Sequence, residues 1–192
     1  MNIIFASQNP NKIAEIRAKL PGHTIDGLDP NLFPDELLET GLTLDANALQ
    51  KVRQVYEKTA ENCFADDTGL EVESLDGEPG VYSARYAGEQ KNSEDNMALL
   101  LNKLEGLSNR NARFRTVVAL VWKGQEYIFE GICKGHIITQ KSGSKGFGYD
   151  PIFIPEGYDR TFAEMTMEEK SQISHRGLAV EKLVQFLSEL ND

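Results

Sequence analysis

A chain of 192 residues with 40% apolar and 26% charged side chains is long enough to bury a real core, and residues 1–192 are expected to form one domain with two lobes. A formal charge of −10 argues against broad binding to nucleic acid or to an anionic membrane, although a local nest of amides and lysines can still hold a phosphate. Two cysteines, Cys63 and Cys133, make neither a CxxC pair nor a disulfide framework. With no basic leader and no run approaching ~18 apolar residues, the chain is expected to be cytoplasmic, with no membrane partner.

The first thirty residues have an α/β pattern. Asn2–Ala6 is short and apolar, as a buried strand requires, and Ile13, Ile16 and Leu20 then recur at helical spacing. Asn9 is placed to cap that helix with Pro10 in its first turn. A strand feeding a helix leaves free N–H groups at the helix start, where Lys12 adds a cation, so a structural cap and an anion site are both open readings. Pro21-Gly22 ends the helix, and a short strand is expected around Thr24-Ile25.

Residues 28–40 read as irregular, with two prolines and several acids, among them Glu39 just before a second helix. That helix is expected over Leu42–Lys58, with Ala48, Val52 and Val55 inside and Lys51 at the border of the apolar face. Phe64-Ala65-Asp66-Asp67-Thr68-Gly69-Leu70 follows, an apolar approach ending in two adjacent carboxylates. Buried carboxylates need a partner or a metal. Successive side chains on a straight strand face opposite ways, so Asp66 and Asp67 can serve one ion only if the chain bends, which Gly69 would permit.

Tyr82–Tyr86 is expected as exposed loop, and Ser93–Leu104 as a helix burying Met97, Leu100, Leu101 and Leu104. Phe114–Trp122 and Glu126–Thr139 form the strand-rich part, with Val117–Val121 central in the sheet and a hairpin link at Gly124-Gln125. His136 lacks metal-ligand spacing and is read as structural or surface. The segment from Lys141 to Pro151 interleaves glycines with Phe147 and Tyr149, whose rings could flank a planar base, and with Asp150 as an acceptor. Ser171 or Ser174 caps the last helix, with Val180, Leu183, Leu187 and Leu190 inside. Lys170 and Arg176 then lie near its start, against the dipole preference, as an anionic or carbonyl-bearing ligand would explain.

Seven blocks, in order, span residues 3 to 187. They are AxxNxxK at 6–12, ETG at 39–41, NALQK at 47–51, FADDTGLEV at 64–72, PGVYSARYAG at 79–88, GFGYDPIF at 146–153 and EEKSQISHRG at 168–177. Together they resemble the Ham1 family of nucleoside-triphosphate pyrophosphatases, the inosine triphosphatase family; the family's usual TGN or SGN is Ser7-Gln8-Asn9 here. The resemblance implies an α/β fold, an elongated mixed β-sheet flanked by helices, with two lobes, an intervening active-site cleft, and a homodimer. It implies hydrolysis of ITP, dITP and XTP to monophosphate and pyrophosphate, with Mg2+ held by Glu39 and Asp67 and Asp66 close by. Asp67 resembles the general base, and Ser7, Gln8, Asn9, Lys12, Lys51 and Thr68 resemble triphosphate contacts. Phe147, Gly148, Tyr149, Asp150, Lys170, His175 and Arg176 resemble the base and sugar pocket.

The chemistry is consistent with that resemblance. A triphosphate brings roughly four negative charges that metal and lysines must neutralise, and magnesium prefers oxygen ligands. Donors facing a purine six-oxygen would reject the adenine amino group, each mismatch costing ~1–3 kcal/mol. A pyrophosphatase for modified pyrimidine triphosphates and a catalytically silent nucleotide-binding regulator are the alternative readings.

Overall fold

The structure is a computed structural model that describes residues 2–190. Its elements run β1 (Asn2–Phe5), α1 (Pro10–Lys19), β2 (Thr24–Asp26), α2 (Leu44–Thr59), β3 (Cys63–Val72), α3 (Ser93–Lys103), β4 (Asn111–Trp122), β5 (Gln125–Ile137), β6 (Phe153–Pro155), α4 (Met167–Ile173) and α5 (His175–Glu189). The strands form one sheet in the order β2-β1-β3-β4-β5-β6. β1 is parallel to β2 and β3, whereas β5 and β6 are antiparallel, so the sheet is mixed and the fold is α/β, as the alternation of apolar strands and amphipathic helices predicts.

The chain divides into two compact units, the first built from Met1–Asp67, Thr116–Glu130 and Ala179–Asp192, the second from Thr68–Arg115 and Gly131–Leu178. Each has its own core. In the first, Ile16 of α1, Leu20 just past its end, and Val180, Leu183 and Leu187 of α5 pack with Phe5 and Phe64, whose rings stack at 4.7 Å. In the second, Met97 and Leu100 of α3 and Leu104, its C-cap, pack with Leu70 and Val72 of β3 and with Phe114 of β4. Fully burying a side chain of this size contributes about 1.5–3 kcal/mol, so these sets dominate the stability of each unit. Val117–Val121 is buried throughout, in line with its unbroken apolar run.

Four local expectations change. The Asp66-Asp67 segment does not bend: β3 is continuous for ten residues, so its side chains alternate and the two acids meet different partners. Gly80–Arg85 is a short 3-10 helix rather than open loop; Ser83 ties it down by donating to the Gly80 carbonyl at 2.6 Å and accepting from the Leu70 N–H at 2.9 Å. Lys170 belongs to a separate helix, α4, capped by Thr166 and lying in its last turn, where a cation suits the dipole. Ser174 begins the next helix, its hydroxyl accepting from the Gly177 N–H at 3.1 Å. Leu190 is 42% exposed rather than inside, because α5 ends at Glu189 and Leu190 lies beyond its buried face.

Candidate active site

In the first unit, α1 begins directly after the strand-exit turn. The Ser7 hydroxyl accepts from the Asn9 N–H at 3.1 Å, and the Asn9 side chain accepts from the Lys12 N–H at 3.3 Å, so Asn9 caps the helix. Gln8 is anchored, its amide donating to the Phe33 carbonyl at 2.8 Å. Lys12 reaches across to β3 and contacts both oxygens of Asp66 at 3.1 Å.

On the other side of β3, Lys51 of α2 gathers the remaining acids. Its ammonium donates to Glu39 at 2.5 Å, to the Asp66 carbonyl at 2.6 Å and to Asp67 at 3.3 Å. Only 9% of Lys51 is exposed. Burial alone would lower its pKa, but the charges of Asp67, Asp66 and Glu39 outweigh that and hold it above its ordinary value. Asp67 is also held above its ordinary value, here by burial: the Lys51 charge offsets part of this, and Glu39 adds to it. Asn47, 1% exposed, lies between the parts: its amide acts to lower the Asp67 pKa, while its oxygen accepts from the Gly41 N–H at 2.7 Å. A side chain at Gly41 would collide with Ala46 and with that Asn47 oxygen, at 2.7 and 2.8 Å, so glycine is required where the loop meets α2.

Three carboxylates thus share two ammonium groups. Among the described residues no three His, Cys, Asp or Glu side chains gather as a self-sufficient metal cage. Yet the second oxygen of Asp67, Oδ2, is buried with no hydrogen-bond partner among the described residues, an unused lone-pair site in an acid-rich setting. An all-oxygen set with one negative charge in excess fits a hard divalent cation that keeps waters and takes substrate phosphates as further ligands.

The second unit assembles the other candidate residues. Asp150, 2% exposed, accepts from Lys170 at 2.5 Å and from the Phe147 N–H at 2.9 Å, pinning the glycine-rich loop to α4. Gly146 has φ of 76°, and a Cβ there would lie 2.1 Å from the Asp150 carboxylate, so only glycine lets the loop close on its acid. Phe147 is 63% exposed, with the Lys170 ammonium 4.9 Å and the Arg176 guanidinium 5.6 Å from its ring centre. Gly148 follows with φ of 62°.

Of the two rings expected to flank a base, only Phe147 is exposed. Tyr149 lies in the core with its hydroxyl donating to the Ser83 carbonyl at 2.8 Å, and burial raises its pKa. His175 stacks on Phe114 at 4.6 Å and Arg176 is 7% exposed, both in the first turn of α5. Thr68 follows Asp67 on β3 and is half-buried. Asn47 and Ser83 lay inside motif blocks but drew no role from sequence; their signal was burial of a polar side chain, which no periodicity reveals.

A family model described as the Ham1 family matches residues 3–186. The chain belongs to the Ham1 family. Curated members of high similarity include the dITP/XTP pyrophosphatase of Flavobacterium johnsoniae, 55% identical over 190 residues that cover 98% of both chains. That of Christiangramia forsetii is 50% identical over 192 residues, covering 98% of this chain and all of the relative. Among solved structures, the Staphylococcus aureus Ham1 protein superposes with a TM-score of 0.93 at 41% identity, covering 98% of this chain and 99% of the other. A Ham1 protein from Coxiella burnetii gives 0.92 at 37% identity, with the same coverage. The Ham1 fold therefore extends over 98% of the chain, and the family match over residues 3–186 includes both residue clusters.

Proposed function

We propose that the chain hydrolyses dITP, ITP and XTP between the α and β phosphates, giving the nucleoside monophosphate and pyrophosphate. The observation that carries this reading is the pairing of Glu39 and Asp67 on one buried ammonium, with Asp67 Oδ2 left open, in a chain 55% identical to a dITP/XTP pyrophosphatase.

Glu39 and Asp67 would hold magnesium, and Asp66 keeps Lys12 in place through its two contacts. The ion supplies positive charge that neutralises the phosphate chain and makes the α-phosphorus more electrophilic. Lys12, with Ser7, Gln8, Asn9 and Thr68, receives the phosphates at the start of α1 and on β3. Lys51 fixes the two carboxylates by donating to both. Asp67 takes a proton from the attacking water as its oxygen bonds to the α-phosphorus. The bond from that phosphorus to the bridging oxygen breaks, and pyrophosphate leaves with the electron pair. In the second unit, the exposed ring of Phe147 stacks on the base, and Lys170, His175 and Arg176 donate towards its six-oxygen, with Gly148, Tyr149 and Asp150 shaping the loop.

A homodimer is what the family resemblance implies, and a cytoplasmic location is what the cysteine usage and apolar runs of the sequence lead us to expect; among the described residues no helix is long and apolar enough to cross a membrane. The deciding experiment is a product assay across inosine, xanthosine, deoxyinosine, adenosine and modified pyrimidine triphosphates, with and without magnesium. Magnesium-dependent pyrophosphate release from the first three is expected. Stepwise phosphate release, or preference for the pyrimidines, would overturn the reading.

A further inference from the structure

Glu39 sits in a segment with no regular structure between β2 and α2. Its neighbours do not anchor it by packing, since Leu38 is 62% and Leu42 83% exposed. Side chains from α2 hold the backbone instead. Gln54 accepts from the Leu38 N–H and donates to the Leu38 carbonyl, each at 3.0 Å. Gln50 accepts from the Thr40 N–H at 2.8 Å and also meets its hydroxyl. Asn47 accepts from the Gly41 N–H at 2.7 Å. These residues, with Lys51 on the Glu39 carboxylate, follow one another at spacings of three and four and share one helix face.

Four peptide groups on the two sides of Glu39 are therefore read by three amide side chains. An amide suits this task, because it offers a donor and an acceptor without adding charge beside an acid. The loop is also tied upstream, at Leu32 by Lys58 and at Phe33 by Gln8, but the three amide side chains of α2 are the ties that bracket the carboxylate.

We propose that Asn47, Gln50 and Gln54 are positioning residues that set the affinity for the divalent cation by fixing Glu39, an inference that rests on Glu39 being a metal ligand as read above. Without the ties, Glu39 must pay for its own ordering each time the cation binds. Losing two net hydrogen bonds that matter only when Glu39 is placed raises the dissociation constant of the cation by about tenfold.

The test uses the full chain carrying Gln50→Ala with Gln54→Met, two half-buried positions, leaving the buried Asn47 intact. Manganese(II) binding is followed by electron paramagnetic resonance with a non-hydrolysable inosine triphosphate analogue present, beside Glu39→Gln as reference. Hydrogen exchange across 37–42 and the melting temperature are measured on the same samples. The expected result is about tenfold weaker manganese binding, faster exchange across 37–42, a parental melting temperature, and kcat restored at saturating metal. Parental manganese affinity in the double variant, with weakened binding in Glu39→Gln, overturns the positioning role and leaves the proposed reaction standing. A lower melting temperature with parental affinity assigns the amides to folding and overturns it too. If Glu39→Gln itself binds manganese like the parent, the ligand role of Glu39 falls, and the clamp with it.

Discussion

The two residue clusters use the same pair of side chains, an aspartate and a lysine, to opposite ends. In the first unit the acids outnumber the ammonium groups: Glu39, Asp66 and Asp67 share Lys12 and Lys51, and one carboxylate oxygen of Asp67 stays unsatisfied among the described residues. In the second, one deeply buried acid, Asp150, is satisfied twice over and serves to seat a loop that presents an exposed ring bordered by two cations. On the proposed function, the difference assigns chemistry to the first cluster and recognition to the second. An under-compensated acid cluster is poised for a cation and a proton, whereas a fully compensated one makes a rigid platform.

Four substitutions test that contrast, beginning with the largest expected effect. Asp67→Asn keeps the shape of the acid cluster and removes the proton acceptor, so kcat for pyrophosphate release should fall by about 100- to 10,000-fold. A loss confined to KM would move the acceptor role elsewhere. Lys170→Met strips the partner from Asp150, a carboxylate only 2% exposed, and is expected to cost about 3–5 kcal/mol in denaturant unfolding. A loss below 1 kcal/mol would show that the second cluster is no platform.

Phe147→Ala removes the exposed ring, and a stacking contribution of ~1–3 kcal/mol predicts a higher KM in steady-state assays with kcat near the parental value. Tyr149→Phe deletes a single buried hydrogen bond to Ser83 and should cost about 1 kcal/mol of stability with catalysis intact; a specific change in KM would instead give the tyrosine a direct part in binding.

The smallest effect is one of sign. Burial holds the Asp67 pKa above its ordinary 3.8, so the folded metal-free chain binds that proton more tightly than the unfolded chain does. The stability this lends is present below 3.8 and is lost as pH rises through the raised value. In the metal-free protein Asp67→Asn should therefore melt higher than the parent at pH 7, with the gap closing towards pH 3.8. A variant that melts lower at pH 7 would mean that the acid is fully compensated after all.

Much of this was legible in the sequence where a residue's role follows from its neighbours along the chain. Asn9 and Pro10 announce the start of α1, Ala48, Val52 and Val55 the inner face of α2, and Val117–Val121 a central strand. What escaped depends on partners distant in sequence. Lys12 and Asp66 are fifty-four residues apart, so no local pattern says which lysine each acid takes. Tyr149 looked like a second base-flanking ring because aromatic residues serve as platform or as core with equal ease; only its neighbours Ile152 and Phe153, with Ser83 to receive its hydroxyl, decide for core. The break between α4 and α5 was hidden because Ser171 and Ser174 both qualify as caps.

The straightness of β3 has one more consequence. Because Asp66 and Asp67 occupy opposite sides of the strand, inserting or deleting a single residue upstream of them within β3 would send one acid to the other's lysine and carry the second acid away from both. The strand can absorb many swaps of one side chain for another, but scarcely any change in length, and a library of one-residue insertions should find it the least forgiving stretch of the molecule.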